Sequence, residues 1–347
     1  MFTATIYNRD NVPETVEVFD PEDAELPLLE IEPRGSGWKK GTPDYLNAIC
    51  CLDTETSKLI HTDPESGIEL VDGVWIYQWC LNIDGTLIAG RTAEDLIELM
   101  RLIYVNYGLS RTRRLVIWIH NAAYDLSYLL NGLYAEFDGK IKIFATGQRR
   151  PIRCSLGEGG GLEIRCSWKL VNKSLAAWCN DVNPMHPKRT GEINYNVMRL
   201  PTDELTAEDW DYMICDVISQ RECLEYELSN ERLRTVPMTS TGFVRRAMRK
   251  AARKNPGYIS KFREQLPTAK QYMLMRKAFT GGYTHANSLA LGIWHDVYSF
   301  RCGFDVSRLH DGRVVPCWCL DMDPDLEKGG SGLAHQYGQS SYNDSGI

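Results

Sequence analysis

The stretch Ala48-Ile49-Cys50-Cys51-Leu52-Asp53-Thr54-Glu55 runs from five apolar residues straight into two carboxylates one residue apart. Such a run reads as a buried strand, and alternate residues of a strand share a face. Asp53 and Glu55 therefore project together from the end of a buried element. Mutual repulsion and lost hydration both count against holding them there. A divalent cation offsets both, because it brings compensating charge and takes hard oxygen ligands. An Asp-x-Glu pair is common by itself, so further acids have to be found elsewhere in the chain.

Two other stretches supply them. Residues 114–120 (RLVIWIH) read as a short buried strand that runs directly into a helix over 121–133. Asn121 stands at the handover, a position that suits an N-cap, and Asp125 lies four residues on, on the same helical face. That edge of an open α/β sheet is where sites form. Read alone, His120 is a satisfied core residue. The third stretch lies in a helix over 206–233. Thr206 with Asp209 forms a capping signature, and Trp210, Met213, Val217, Leu224 and Leu228 follow a 3.6-residue period. Tyr212 and Asp216, four apart, share a face beside that stripe, where a tyrosine is ordinarily core.

The remaining pattern gives a mixed α/β class. Strands are expected at 73–83 and 86–90, joined by a turn at Asp84-Gly85. A helix follows Thr92, with Leu96, Leu99, Ile103 and Val105 on its apolar face, and hairpins are expected over 137–172. Residues 1–46 are acidic and broken by five prolines, which reads as short strands and loops. Residues 47–235 form the main domain, 236–300 a basic helical linker, and 301–347 have the composition of a disordered tail.

The net charge of −7 hides an uneven distribution. Residues 241–280 hold eleven Lys or Arg against one acid, Glu264, in what reads as two helices broken at Asn255-Pro256-Gly257. Most charge runs are solvated helical faces, but one with so little compensating acid also suits a phosphate backbone, with Arg245, Arg246 and Arg249 as candidates. The 11 cysteines are odd in number and form no CxxC pair, which points to reduced thiols in a cytosol-like compartment. No apolar stretch approaches the ~20 residues of a membrane span, and the N-terminus has no signal-peptide pattern, so no membrane partner is expected.

In order, element type and spacing, the three acidic stretches resemble the exonuclease motifs of family B DNA polymerases. These are Asp-x-Glu at Asp53-Thr54-Glu55, Asn-x-x-(Phe/Tyr)-Asp at Asn121 to Asp125, and Tyr-x-x-x-Asp at Tyr212 to Asp216. Further stretches resemble the protein-primed branch, the polymerases of small linear phage genomes and linear plasmids. Ser174-Leu175 within KSLAAW matches its (Ser/Thr)-Leu-x-x-hydrophobic motif. HPKRTGEINY matches the segment carrying its catalytic lysine, with Lys188 the candidate and Arg189 its neighbour. Phe279-Thr280-Gly281-Gly282 matches its Tyr-x-Gly-Gly motif, with Phe279 in the tyrosine place. The likeness covers roughly residues 45 to 300.

This resemblance implies a ribonuclease H-like fold, a mixed sheet flanked by helices, of the subclass with tyrosine beside the last aspartate. It implies 3′→5′ exonuclease chemistry with two divalent ions, Mg2+ or Mn2+, held by Asp53, Glu55, Asp125 and Asp216. Asp53 and Asp125 are the leading ligands, Tyr212 holds the attacking water, and Lys188 stabilises charge on the phosphate. Thr56, His120, Asn121, Tyr124, Ser174 and Leu175 position the strand, and Phe279, Gly281 and Gly282 serve DNA contacts. The implied partners are single-stranded or primer-template DNA, a terminal priming protein and a separately encoded polymerase part, in a host cytoplasm. A single-stranded DNA-binding module without cleavage, or a stand-alone RNase of the same fold, are the alternatives.

The likeness breaks after Val297-Tyr298-Ser299-Phe300. Relatives place a metal-binding Asp next and then Ser-Leu-Tyr-Pro, whereas this chain has Arg301, and Asp305 is wrongly spaced for that role. The abrupt change suggests a frameshift, an intron boundary or a split gene, and the expectation is that this chain alone does not polymerise.

Overall fold

A computed structural model describes residues 1–35, 38–64, 67, 69–147, 150–189, 197–278, 306–308 and 314–316. The chain divides into two compact units, Met1–Lys250 and Ala251–Ile347. In chain order the first unit contains β1 (Phe2–Tyr7), β2 (Pro13–Phe19), β3 (Asp44–Tyr45), β4 (Cys50–Thr62), β5 (Glu69–Ile83) and β6 (Thr86–Gly90). Then come α1 (Ala93–Asn106), β7 (Arg113–Ile119), α2 (Ala123–Glu136), β8 (Ile141–Ala145), β9 (Pro151–Leu156) and β10 (Leu162–Cys166). Helices α3 (Ser167–Val171), α4 (Leu175–Val182) and α5 (Ala207–Leu228) follow.

Among the described residues these strands form one ten-stranded mixed sheet, ordered β1-β2-β6-β5-β4-β7-β10-β9-β8, with β3 added to β7. Its centre is three adjacent parallel strands, β4, β7 and β10. They are buried on both faces, so the period-two alternation sorts their side chains between two cores. Cys50, Leu52, Leu115, Ile117 and Ile119 pack with Leu96, Leu99 and Ile103 of α1 and Leu126, Leu129 and Leu133 of α2. Cys51, Val116 and Trp118 pack on the other side with Trp178 of α4 and Met213, Ile214 and Val217 of α5. The expected mixed α/β layering is what forms.

Several local expectations hold. Asp84 and Gly85 both have φ above zero and turn β5 into β6 as a tight hairpin. Thr92 caps α1, and Thr206 with Asp209 forms a full capping box on α5.

Others are corrected. The acidic strand does not stop near Leu52, because β4 runs on to Thr62 paired with β5 and is bulged after Glu55. Backbone pairing within a hairpin sustains it where apolar burial ends. Val105 is off the buried stripe of α1, and Met100 takes its place. Asn121 is not the cap of α2. It adopts a left-handed conformation (φ 63°), which shifts the turn so that Ala122 occupies the cap position with no side-chain bond. The basic segment forms three helices rather than two, α6 (Ser240–Arg253), α7 (Pro256–Glu264) and α8 (Ala269–Ala278). Pro267 bars continuation, and Thr268 and Gln271 exchange capping bonds that start α8. In the segment expected to lack structure, β11 (Val306–Arg308) and β12 (Val314–Pro316) pair antiparallel, as their β-branched valines favour. Phe279, Gly281 and Gly282 lie outside the described residues.

One buried ionic network ties the sheet together. Glu163 on β10 is fully buried and accepts from Tyr45 Oη (3.0 Å), Arg114 Nη1 (2.5 Å) and Arg165 Nε (2.9 Å). Arg165, 2% exposed, also donates to the Leu233 carbonyl at 2.9 Å. Burial alone would raise the Glu163 carboxyl, yet its arginine neighbours, Arg165 first, hold it below the usual value. Removing one partner of such a pair strands a buried charge. Glu163→Ala is therefore expected to lower unfolding stability by about 3–5 kcal/mol in denaturant titration.

Candidate functional site

The register of the three parallel strands decides what meets at their carboxyl ends. Leu52 pairs with Ile119, and Ile119 with Cys166, so Asp53, His120 and Ser167 are the next residues along one edge. Helix α5 crosses the same face as Cys51, and by alternation Asp53 and Glu55 point toward it. Asp53, Glu55 and Asp216 offer carboxylate oxygens that all lie within 4.8 Å of one another. Glu55 and Asp216 are buried, while Asp53 faces an open cleft of ≈ 500 Å3. That cleft is lined by Asp53, His120, Asn121, Trp168, Ser174, Leu175, Lys188 and Asp216.

Of the two basic candidates, Lys188 turns inward. Its ammonium pairs with Asp216, donates to Tyr212 Oη at 3.2 Å, and lies 4.7 Å from that ring's centroid. Arg189 turns away to Asp211 (3.2 Å) and the Tyr7 ring. The lysine engages only one oxygen of Asp216; its Oδ1 is buried with no hydrogen-bond partner among the described residues. An orphaned carboxylate oxygen beside two more carboxylates is a donor set that fits a hard divalent cation.

Asp125 does not join this group of three. Its Oδ1 accepts from Thr54 Oγ1 at 2.8 Å, from the residue between the two strand acids. It is nonetheless the first of the neighbouring charges that act on Asp53. Thr56 and Tyr124, expected separately as strand contacts, hydrogen-bond to each other, and Tyr124 is 45% exposed at the surface. Ser174 caps α4, accepting from the Ala177 N–H, and Leu175 is buried behind it. His120 is held by Ser167 Oγ at 3.0 Å and stacks on Trp178, and burial lowers its pKa to about 4. It is thus packed as the core reading expects while also lining the cleft.

Arg245, Arg246 and Arg249 are exposed on α6, but Arg246 is occupied by Glu231 (Nη1 to Oε2, 2.6 Å). Sequence reasoning misses two residues at the site: Thr54, the spacer of Asp-x-Glu that bonds Asp125, and Trp168, which lines the cleft. Placing the end of β10 level with Ile119 is the signal that finds Trp168.

Burial raises all four acids. Asp53 is pushed well above its ordinary value, by burial first and then by Asp125, Asp216 and Glu55. Glu55 and Asp125 rise to about 7 and Asp216 to about 6, with Lys188 pulling Asp216 back. Burial works against the Lys188 ammonium too, yet Asp216, Asp53 and Glu55 hold its pKa above the ordinary lysine value.

No family model matches this chain, and no curated protein matches it. Among solved structures, phi29 DNA polymerase complexed with primer-template DNA in a post-translocation binary complex is similar over 70% of this chain and 41% of that chain. The identity is 14% and the TM-score 0.51, a likeness of fold. Phi29 DNA polymerase complexed with single-stranded DNA has the same coverage at 15% identity and TM-score 0.49. The chain thus spans about two fifths of the length of these polymerases.

The raised acids make a sign-defined prediction. Between ~4, where unfolded carboxyls titrate, and about 7, the folded state holds protons that the unfolded state has lost. Without metal, this cluster therefore costs stability increasingly as pH rises through that window. A divalent ion needs the deprotonated acids. The gain in melting temperature from magnesium or manganese over EDTA is expected to be larger at pH 8 than at pH 5; an equal gain at both would count against the acids as ligands.

Proposed function

We propose that this protein is a divalent-metal-dependent 3′→5′ exonuclease of ribonuclease H-like fold that acts on single-stranded DNA ends. The observation that carries this reading is the convergence of Asp53, Glu55 and Asp216 beside Lys188 and Tyr212 at the sheet's carboxyl edge. Asp53, Glu55 and Asp216 would hold one Mg2+ or Mn2+, and Asp125 beside Asp53 would serve a second. Such ions, when bound, supply Lewis acidity to a phosphoryl oxygen and lower the pKa of water. The fold likeness to a polymerase solved with primer-template DNA supports DNA as the partner.

The chain's own residues account for the remaining needs of phosphodiester hydrolysis. The Tyr212 phenol, held by Lys188, would orient a water against the scissile phosphate. Lys188 carries a positive charge in a partly desolvated site, where it opposes the negative charge that grows during the reaction. Asn121, exposed and left-handed at the cleft, is free of helix capping and can donate its amide to a strand. The Tyr124 ring is exposed for base stacking, which tolerates any sequence. Because the chain spans 41% of that polymerase, no polymerising activity is carried over to it.

An end-labelled oligonucleotide incubated with magnesium is expected to shorten from its 3′ end, and not in EDTA. Asp53→Ala and Asp216→Ala are expected to abolish shortening with the fold intact, and Lys188→Ala to slow it about 10²–10³-fold. Undiminished cleavage by either aspartate variant would refute the assignment. Tight binding without cleavage would instead favour the binding-module reading.

The basic helices generate a separate expectation. Charge reversal at Arg245 and Arg249 should weaken single-strand binding and flatten its salt slope by about 0.7 per lost phosphate contact. An unchanged slope would return α6 to a solvated face.

A further inference from the structure

We infer that His186 is a positioning residue, clamped between Glu222 of α5 and Glu14 of β2 so that Lys188 enters the cleft where it does. The inference rests on the exonuclease reading for the task of Lys188, but the geometry stands apart from it. Residues 183–189 leave the end of α4 and run along α5 in the opposite direction. His186 bonds Glu222, Lys188 bonds Asp216 and Tyr212, and Arg189 bonds Asp211, so each step forward along the segment is a step back along the helix. Glu222 and Asp216 are six residues apart, ~9 Å along a helix axis. His186 and Lys188 are two apart and span at most ~7 Å when extended. The segment has little slack, so fixing His186 at Glu222 fixes the point from which the lysine side chain reaches. Pro187 stiffens the link, because its own φ is locked and the residue before it is biased to extended backbone.

The clamp is a set of three bonds. His186 N–H donates to Glu222 Oε2 at 3.0 Å, its Nδ1 lies 2.7 Å from Glu222 Oε1, and its Nε2 lies 3.2 Å from Glu14 Oε2. A carboxylate only accepts, so both ring nitrogens donate and the ring is an imidazolium. The bond to Glu222 is the first cause of its raised pKa, which Glu14 supports against burial. The turn between β1 and β2 braces the outer side. Asn8 Nδ2 donates to Glu14 Oε1 at 2.7 Å, the Arg9 N–H to the Met185 carbonyl at 2.7 Å, and Arg9 Nη1 to the Asn183 carbonyl at 3.0 Å. A charged histidine between two carboxylates is ordinarily a structural staple. This one has a second task, because the lysine's other anchor is Asp216, whose oxygens the proposed reaction gives to a cation. An anchor outside the four acids keeps the ammonium at the cleft once that bond is shared.

The first measurement needs neither metal nor substrate. It is the rate at which N-hydroxysuccinimidyl acetate acylates Lys188, read by peptide mass spectrometry against the exposed Lys58. Only the free amine reacts; burial favours that form of Lys188, but Asp216 holds the ammonium. His186→Ala should acylate at Lys188 about 10-fold faster relative to Lys58, the change that one pKa unit makes in free amine. Glu222→Gln, which keeps the side chain's volume, should act in the same direction by a smaller factor. An unchanged rate in either variant overturns the inference. The second measurement is hydrolysis of a labelled single strand with magnesium. His186→Ala should lower kcat about 10- to 100-fold with KM within about twofold, and should cost nothing further when added to Lys188→Ala. A merely structural histidine would lower kcat equally in both backgrounds, and that additivity would also overturn the inference. Faster acylation in the variants of a protein whose wild type hydrolyses nothing would refute the exonuclease alone.

Discussion

Four carboxylates packed at one edge of a sheet repel each other and have lost water, and the surrounding fold supplies what holds them there. Lys188 reaches into the group and pairs with a single oxygen of a single acid. Thr54 fixes Asp125 by a hydrogen bond rather than by charge. The remaining repulsion is expressed as raised pKa values on all four acids. Under the reading proposed above a divalent cation would relieve it, because proton and metal compete for the same oxygens.

That demand explains the unusual burial of α5. The sequence pattern describes an amphipathic helix with a polar side toward water. Instead Asp209, Asp211, Asp216, Ser219 and Gln220 are all buried. Its polar side is sealed by partners: Arg199 on Asp209, Arg189 on Asp211, Lys188 on Asp216 and Ser167 on Gln220. The helix is thereby a wall between core and cleft, with its apolar stripe in one and Asp216 at the other.

Charge is divided along the chain in the same spirit. The first unit concentrates acid at the cleft, and the basic residues of 241–280 are gathered on helices with few acids of their own. Eight cysteines among the described residues are buried and free, and Sγ of Cys179 and Cys223 lie 3.9 Å apart between α4 and α5. No described helix is long and apolar enough to cross a membrane.

The sequence by itself determined what depends on neighbours along the chain. Period-two alternation placed Asp53 and Glu55 on one face, the 3.6-residue period placed Tyr212 beside Asp216, and Thr206 with Asp209 marked where α5 begins. Asp84-Gly85 set a hairpin because two consecutive positive φ angles favour those residue types. What it could not determine is what crosses the chain at long range. Strand register alone made Asp53, His120 and Ser167 level, and so brought Trp168 to the cleft without any motif. Packing chose Lys188 over Arg189, adjacent residues that a loose pattern cannot separate. Tertiary structure also moved Asn121 out of a cap into a left-handed turn, because the path from β7 to α2 is set by the sheet on which α2 must pack. Local propensities act over a few bonds; a site is built from groups that only the folded chain makes neighbours.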